Sequence, residues 1–110
     1  MADCIFCKII EGSIPSDLIY QDEKVVVFRD IRPKAKTHLL IVPKIHIKSL
    51  LEIQDEHRDL LSDLMLTLPK IAKEVGLRGG FRTVINTGAE GGQEVDHLHL
   101  HLLGGGLPKF

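Results

Sequence analysis

The stretch His97-Leu98-His99-Leu100-His101-Leu102-Leu103 decides how this chain is read. Its alternation has a period of two. In a β-strand, residues i, i+2 and i+4 point to one face. The three imidazoles therefore share a surface, while Leu98, Leu100 and Leu102 enter the core behind them. The leucines also fix the register, because a slip of one residue would exchange the two faces.

Working outward, this strand is read as Val95 to Leu103, ended by Gly104-Gly105-Gly106. Before it, Phe81 to Ile85 reads as a fourth strand and Thr87 to Gly92 as a flexible loop. Leu60, Leu61, Leu64, Met65, Leu68, Ile71, Ala72 and Val75 recur with helical period and predict one long helix. Pro69 lies inside that pattern and predicts a kink or local break. Gly76 is its terminator. His57, in a charged turn, is expected to face solvent. His38 to Val42 predicts a third strand ended by Pro43. Asp30 to Lys36 reads as a loop, and Leu18 to Tyr20 with Lys24 to Arg29 as a hairpin. Asp3 to Glu11 predicts a short opening helix, capped by Asp3 and stopped near Gly12. No βαβ rhythm is visible. The expected fold is α+β, an antiparallel five-stranded sheet with one long helix and a short N-terminal helix.

The 110 residues suit a single domain, residues 1–110, and 44% hydrophobic with 26% charged residues is a globular composition. No apolar run approaches the roughly 20 residues of a membrane span. The net charge is −1 with no basic stripe, so neither nucleic acid nor a membrane is the expected partner. Two cysteines are too few for a secreted disulfide framework. Asp3 and Lys8 interrupt the opening residues, which makes them a poor signal peptide. A cytoplasmic location is expected.

A row of histidines admits three readings. It can be an exposed face that happens to be histidine-rich. It can hold a metal, but residues 97 and 101 lie roughly 13 Å apart along a strand, too far for all three to ligate one ion. It can be nucleophilic, since neutral imidazole attacks phosphorus and a second imidazole holds phosphate oxygens.

The row fits the pattern His-φ-His-φ-His-φ-φ, and the chain resembles the histidine triad superfamily. Phe28-Arg29-Asp30-Ile31, Thr37-His38-Leu39-Leu40-Ile41-Val42-Pro43-Lys44, Asn86 and Gly91-Gly92-Gln93-Glu94-Val95 are similar, in order and spacing, to its Hint branch. The resemblance implies a purine nucleoside phosphoramidase that needs no cofactor for catalysis. It splits P–N bonds at the α-phosphate through a nucleotidyl-histidine on His99. His101 would contact the phosphate, His97 would orient its neighbours, and His38 would join the cluster. A backbone carbonyl at Nδ1 of His99 is expected, to select its tautomer. Asp30 would take the ribose hydroxyls, with an ordinary turn aspartate as the plain alternative. Phe6, Ile9, Phe28 and Ile31 would wall the base, with core packing as the plain alternative. Asn86, Gly92, Glu94 and Val95 would line the phosphate side; for Asn86 the alternative is a turn cap. Glu94 stands where animal members carry serine, and a carboxylate there repels phosphate and attracts a cationic amine. A homodimer through the long helix and a sheet edge is also implied. Hydrolysis of dinucleoside polyphosphates is the second enzymatic reading, and a zinc-stabilised nucleotide-binding module the non-enzymatic one.

Cys4 and Cys7 have the spacing of a metal knuckle or a redox pair. Some relatives with this motif bind zinc at the positions of Cys4, Cys7, His46 and His97, a tetrahedral S₂N₂ set that would staple the opening helix to the sheet. The alternative is two free thiols and a surface His46.

Overall fold

The computed structural model describes residues 3–110. The elements are α1 (Ile5–Ile10), β1 (Leu18–Gln21), β2 (Val25–Arg29), β3 (Thr37–Pro43), α2 (Arg58–Glu74), β4 (Arg82–Val84) and β5 (Leu100–Gly104). The strands form one sheet in the order β1-β2-β3-β5-β4, and every pairing is antiparallel. The α+β expectation holds, including the five strands and the two helices. No helix among the described residues is long and apolar enough to cross a membrane.

Asp22 makes the β1–β2 turn, its Oδ1 accepting from the N–H groups of Lys24 and Val25. The next two strands read Val25-Val26-Val27-Phe28 and Leu39-Leu40-Ile41-Val42, all buried, because both faces of the sheet are covered. One face carries Val25, Val27, Leu39, Ile41, Leu98, Leu100 and Leu102 against Leu64, Leu68 and Ile71 of α2. The other carries Val26, Phe28, Leu40 and Val42 against Phe6 of α1. Leu40 pairs with His101, and His38 with Leu103, across the β3–β5 ladder. The leucines of the row therefore point to α2. The histidines point to the side that α1 covers.

Four expectations need correction. Strand β5 begins at Leu100 rather than Val95. Residues 95–97 bend, His97 N–H closing onto the Val95 carbonyl at 2.8 Å, and Leu98 N–H goes to Ile47 O instead of a ladder partner. The alternation survives outside the ladder because Leu98 is still buried. The cap of α1 is Cys4, whose Sγ accepts from Cys7 N–H at 3.3 Å, not Asp3. Helix α2 runs through Pro69 without a break. The carbonyl left without a donor by Pro69 belongs to Met65, which is 53% exposed and within reach of water. Gly76, at φ +83°, ends the helix as expected, with Leu77 N–H on the Ala72 carbonyl. Finally, half-buried His57 does more than face solvent: its Nδ1 accepts from Gln54 N–H at 2.9 Å, closing the turn before α2.

Candidate active site

The histidine row splits at its first member. His99 and His101 stack edge to face, with ring centroids 5.0 Å apart. His97 is fully buried and turns toward the cysteines. Its carbonyl oxygen accepts from Nδ1 of His99 at 2.7 Å. The carbonyl can only accept, so Nδ1 of His99 carries a proton, and in the neutral ring Nε2 is the atom with the lone pair. This is the carbonyl expected from the sequence, and it comes from His97. The main chain of His97 orients His99, where its imidazole was expected to act.

A second chain of hydrogen bonds sets His101. Lys34 N–H donates to Nδ1 of His38 at 3.0 Å, so the proton of neutral His38 sits on Nε2. That Nε2 lies 2.8 Å from Nδ1 of His101. His101 then accepts at Nδ1 and holds its proton on Nε2. Burial keeps both rings neutral. It lowers His38 against the opposing pull of Asp30, and it pushes His101 down to about 4, helped by the neighbouring His99 and His38. The site thus offers a lone pair on His99 beside an N–H donor on His101.

These rings open onto a cavity of about 710 Å³. Each expected nucleotide contact lines it. Phe6, Ile9, Phe28 and Ile31 form its apolar walls. Phe6 also meets Phe28 and His99 edge-on, so its wall role and its packing role coincide. Asn86, Gly92, Glu94 and Val95 line the same cavity with His38, His99 and His101, whereas His97 does not. Asp30 lies at the end of β2, where its Oδ1 accepts from Arg32 N–H and its Oδ2 is 3.4 Å from Nε2 of His38. Asn86 braces the glycine turn by donating to Gly91 O.

The segment expected to be a flexible loop is a 3-10 turn, Ala89–Gly91, ended by Gly92 at φ +82°. Only glycine adopts that angle without strain. Gln93 holds the turn: its Oε1 accepts from Gly88 N–H, and its Nε2 donates to the carbonyls of Lys48 and Val95. Gln93 had no assigned role in the sequence reading. Arg29, Arg32 and Lys34 line the cavity and were missed as well. Their signal was present as the run Arg29 to Lys36, rich in cations.

Cys4, Cys7, His46 and His97 meet behind this wall, their ligand atoms all within 4.8 Å of one another. Nδ1 of His97 is 3.3 Å from the Cys4 sulfur and 3.6 Å from that of Cys7, and His46 Nδ1 is 3.4 Å from Cys7. A tetrahedral zinc ion with ordinary bond lengths places sulfur and nitrogen about 3.6 Å apart. Nε2 of His97 bonds the Pro43 carbonyl at 2.8 Å, which turns the Nδ1 lone pair toward the thiols. The residues fit a structural zinc site. Asp30, His38 and His101 also cluster. There the Lys34 N–H holds the proton of His38 on the atom that faces the cluster, so the group is a hydrogen-bonded relay.

The family described as "Scavenger mRNA decapping enzyme C-term binding" matches residues 3–108. A histidine triad protein from Clostridium difficile superposes with a TM-score of 0.95 at 48% identity, covering 100% of this chain and 97% of that one. The chain belongs to the histidine triad family. A histidine triad family hydrolase from Legionella pneumophila gives a TM-score of 0.93 at 46% identity, over 96% of this chain and 95% of that chain. Protein HitA of Neisseria gonorrhoeae is 52% identical over 94% of this chain and 97% of its own length. The purine nucleoside phosphoramidase of Escherichia coli K12 is 47% identical, over 94% of this chain and 87% of its own length. With the triad intact and its cavity formed, this member of the histidine triad family is an enzyme.

Proposed function

We propose that this histidine triad enzyme, a single domain over residues 1–110, hydrolyses purine nucleoside 5′-phosphoramidates through a nucleotidyl intermediate on His99. The carrying observation is the bond from Nδ1 of His99 to the His97 carbonyl, which puts the lone pair of the neutral ring on Nε2, at the cavity. In this reading Phe6, Ile9, Phe28 and Ile31 sandwich the base and Asp30 accepts from the ribose hydroxyls. Asn86, Gly92, Glu94 and Val95 flank the phosphate.

Nε2 of His99 attacks the α-phosphorus and the P–N bond breaks. The nitrogen leaves with the bonding pair and takes one proton from solvent. Nε2–H of His101 donates to a phosphoryl oxygen and offsets the charge that develops there. Water then attacks from the opposite side. The P–N bond to His99 breaks, its electron pair returns to Nε2, and the monophosphate leaves with release of a proton that balances the first. Two displacements at phosphorus replace one harder one. Zinc held by Cys4, Cys7, His46 and His97 would have a structural part only, tying α1 and its Phe6 to the sheet. A cytoplasmic homodimer is part of the same proposal.

The test is turnover of a fluorogenic adenosine 5′-phosphoramidate by wild type and His99→Ala. The expected result is turnover that collapses in the variant while AMP binding persists. A folded, metal-loaded wild type that leaves this substrate intact overturns the reading and directs attention to dinucleoside polyphosphates, then to a binding module.

A further inference from the structure

Gln93 stands between the glycine turn and the triad, and it does not line the cavity. It is half-buried, and both polar atoms of its amide are engaged. Oε1 accepts from Gly88 N–H at 2.9 Å, and Nε2 donates to Lys48 O at 2.7 Å and Val95 O at 2.8 Å. Only one orientation of the amide puts its carbonyl on the donor and its two N–H groups on the acceptors. A single flat group thus holds three segments at fixed separations.

Two of these bonds lead to His99. The first route runs through Val95, whose carbonyl also accepts from His97 N–H at 2.8 Å and makes the bend at 95–97. The second runs through the segment after β3. Leu98 N–H donates at 2.7 Å to Ile47 O, the carbonyl just before that of Lys48. Leu98 N–H and His97 C=O belong to one planar peptide unit and point in opposite directions. Fixing the N–H on Ile47 therefore aims the carbonyl that takes Nδ1 of His99 at 2.7 Å. No strand ladder holds this peptide, because β5 begins at Leu100. The ring of His97 is anchored separately at the Pro43 carbonyl, a bond that fixes the side chain and not the peptide plane.

The third bond leads the other way. Gly88, at φ +72°, opens the turn that Gly92 ends, and Gly92 lines the cavity with Asn86. Oε1 of Gln93 holds the N–H of Gly88, while the Gly88 carbonyl accepts from Gln93 N–H at 3.1 Å.

We infer that Gln93 is a positioning residue whose amide locks the glycine turn to the bend at 95–97 and so keeps the lone pair of neutral His99 on Nε2. This rests on the reading of His99 as nucleophile and deepens it, yet the tautomer is measurable without turnover. Once the His97 carbonyl is no longer aimed, nothing holds the proton on Nδ1.

The test uses the full chain as purified. Gln93→Met keeps the length of the side chain without the amide. Gln93→Asn, shorter by a methylene, is the second variant and serves alone if the first does not fold. Long-range ¹H–¹⁵N spectra at about pH 8.5, above the ordinary histidine range, report the tautomer of each neutral ring. His99→Ala assigns the His99 signals. Wild type is expected to show His99 protonated on Nδ1, and the variants a mixture with the Nε2–H form. Their kcat for a fluorogenic adenosine 5′-phosphoramidate should fall about tenfold. Variants in which His99 stays wholly Nδ1–H overturn the inference whatever their kcat, since any lost turnover would then come from the glycine turn alone. A shifted tautomer with wild-type kcat upholds the positioning and defeats His99 as nucleophile. A wild type that leaves the substrate intact defeats the phosphoramidase reading, and the spectra still decide for Gln93.

Discussion

Nδ1 of His99 and the main-chain oxygen of His97 lie 2.7 Å apart, joining the proposed nucleophile to the residue whose side chain sits in the cysteine cluster. One residue thus contributes to two places. Its carbonyl sets the tautomer of His99, and its ring completes the proposed metal set.

That division separates two substitutions. His99→Ala removes the nucleophile, and turnover is expected to fall by about 10³-fold or more. His97→Ala keeps the carbonyl. Turnover should fall by only about tenfold, with a clear drop in thermal stability and zinc content. Equal losses of kcat in steady-state assays of the two variants would contradict a main-chain role for His97.

His38 donates to Nδ1 of His101 and thereby sets its Nε2–H toward the cavity. In His38→Ala that half-buried acceptor is left unpaired at a cost of about 1–3 kcal/mol, which, if carried in full to the transition state, is roughly 5- to 150-fold in kcat/KM. Steady-state kinetics that match wild type would show that the relay does not matter to the reaction.

Zinc should copurify in proportion to the chain and remain after dialysis. Cys4→Ser or Cys7→Ser should lose it and melt at lower temperature, because the set ties α1 to His46 and His97. Plasma emission spectrometry with calorimetry reads both effects. Metal-free protein with an unchanged melting temperature in the variants would leave the four side chains as a hydrogen-bonded cluster of free thiols and imidazoles.

Stability should depend on pH in one direction. His38, His97 and His101 are held below the ordinary 6.5, chiefly by burial, with His101 at about 4. Between those values the unfolded chain binds protons that the folded chain does not, so stability rises with pH. The contribution is complete above about pH 6.5 and is lost as pH falls toward 4. The urea midpoint of chelator-treated protein should drop between pH 7 and pH 5. A midpoint that stays level, or rises, on acidification would show that these rings are not held neutral.

The sequence by itself determined the architecture and most of the cavity wall. Period-two leucines between histidines assigned two faces, and the 3.6-residue pattern from Leu60 to Val75 placed the helix that covers one of them. Those signals are local, so they are legible in a string. The motifs that flank the triad named Asp30, Asn86 and Gly92, and all three line the cavity.

Only the tertiary structure decided which atom of each histidine faces the cavity. The tautomer of His99 depends on a carbonyl bent into place by a turn at residues 95–97, and that of His101 depends on Lys34 acting through His38 from another strand. The cap of α1 followed the same rule. Cys4 rather than Asp3 takes it, since its sulfur is directed both at the Cys7 N–H and at a histidine 93 positions away. Hydrogen bonds between segments far apart in the chain carry no periodicity, and they exist only once the sheet has brought the segments together.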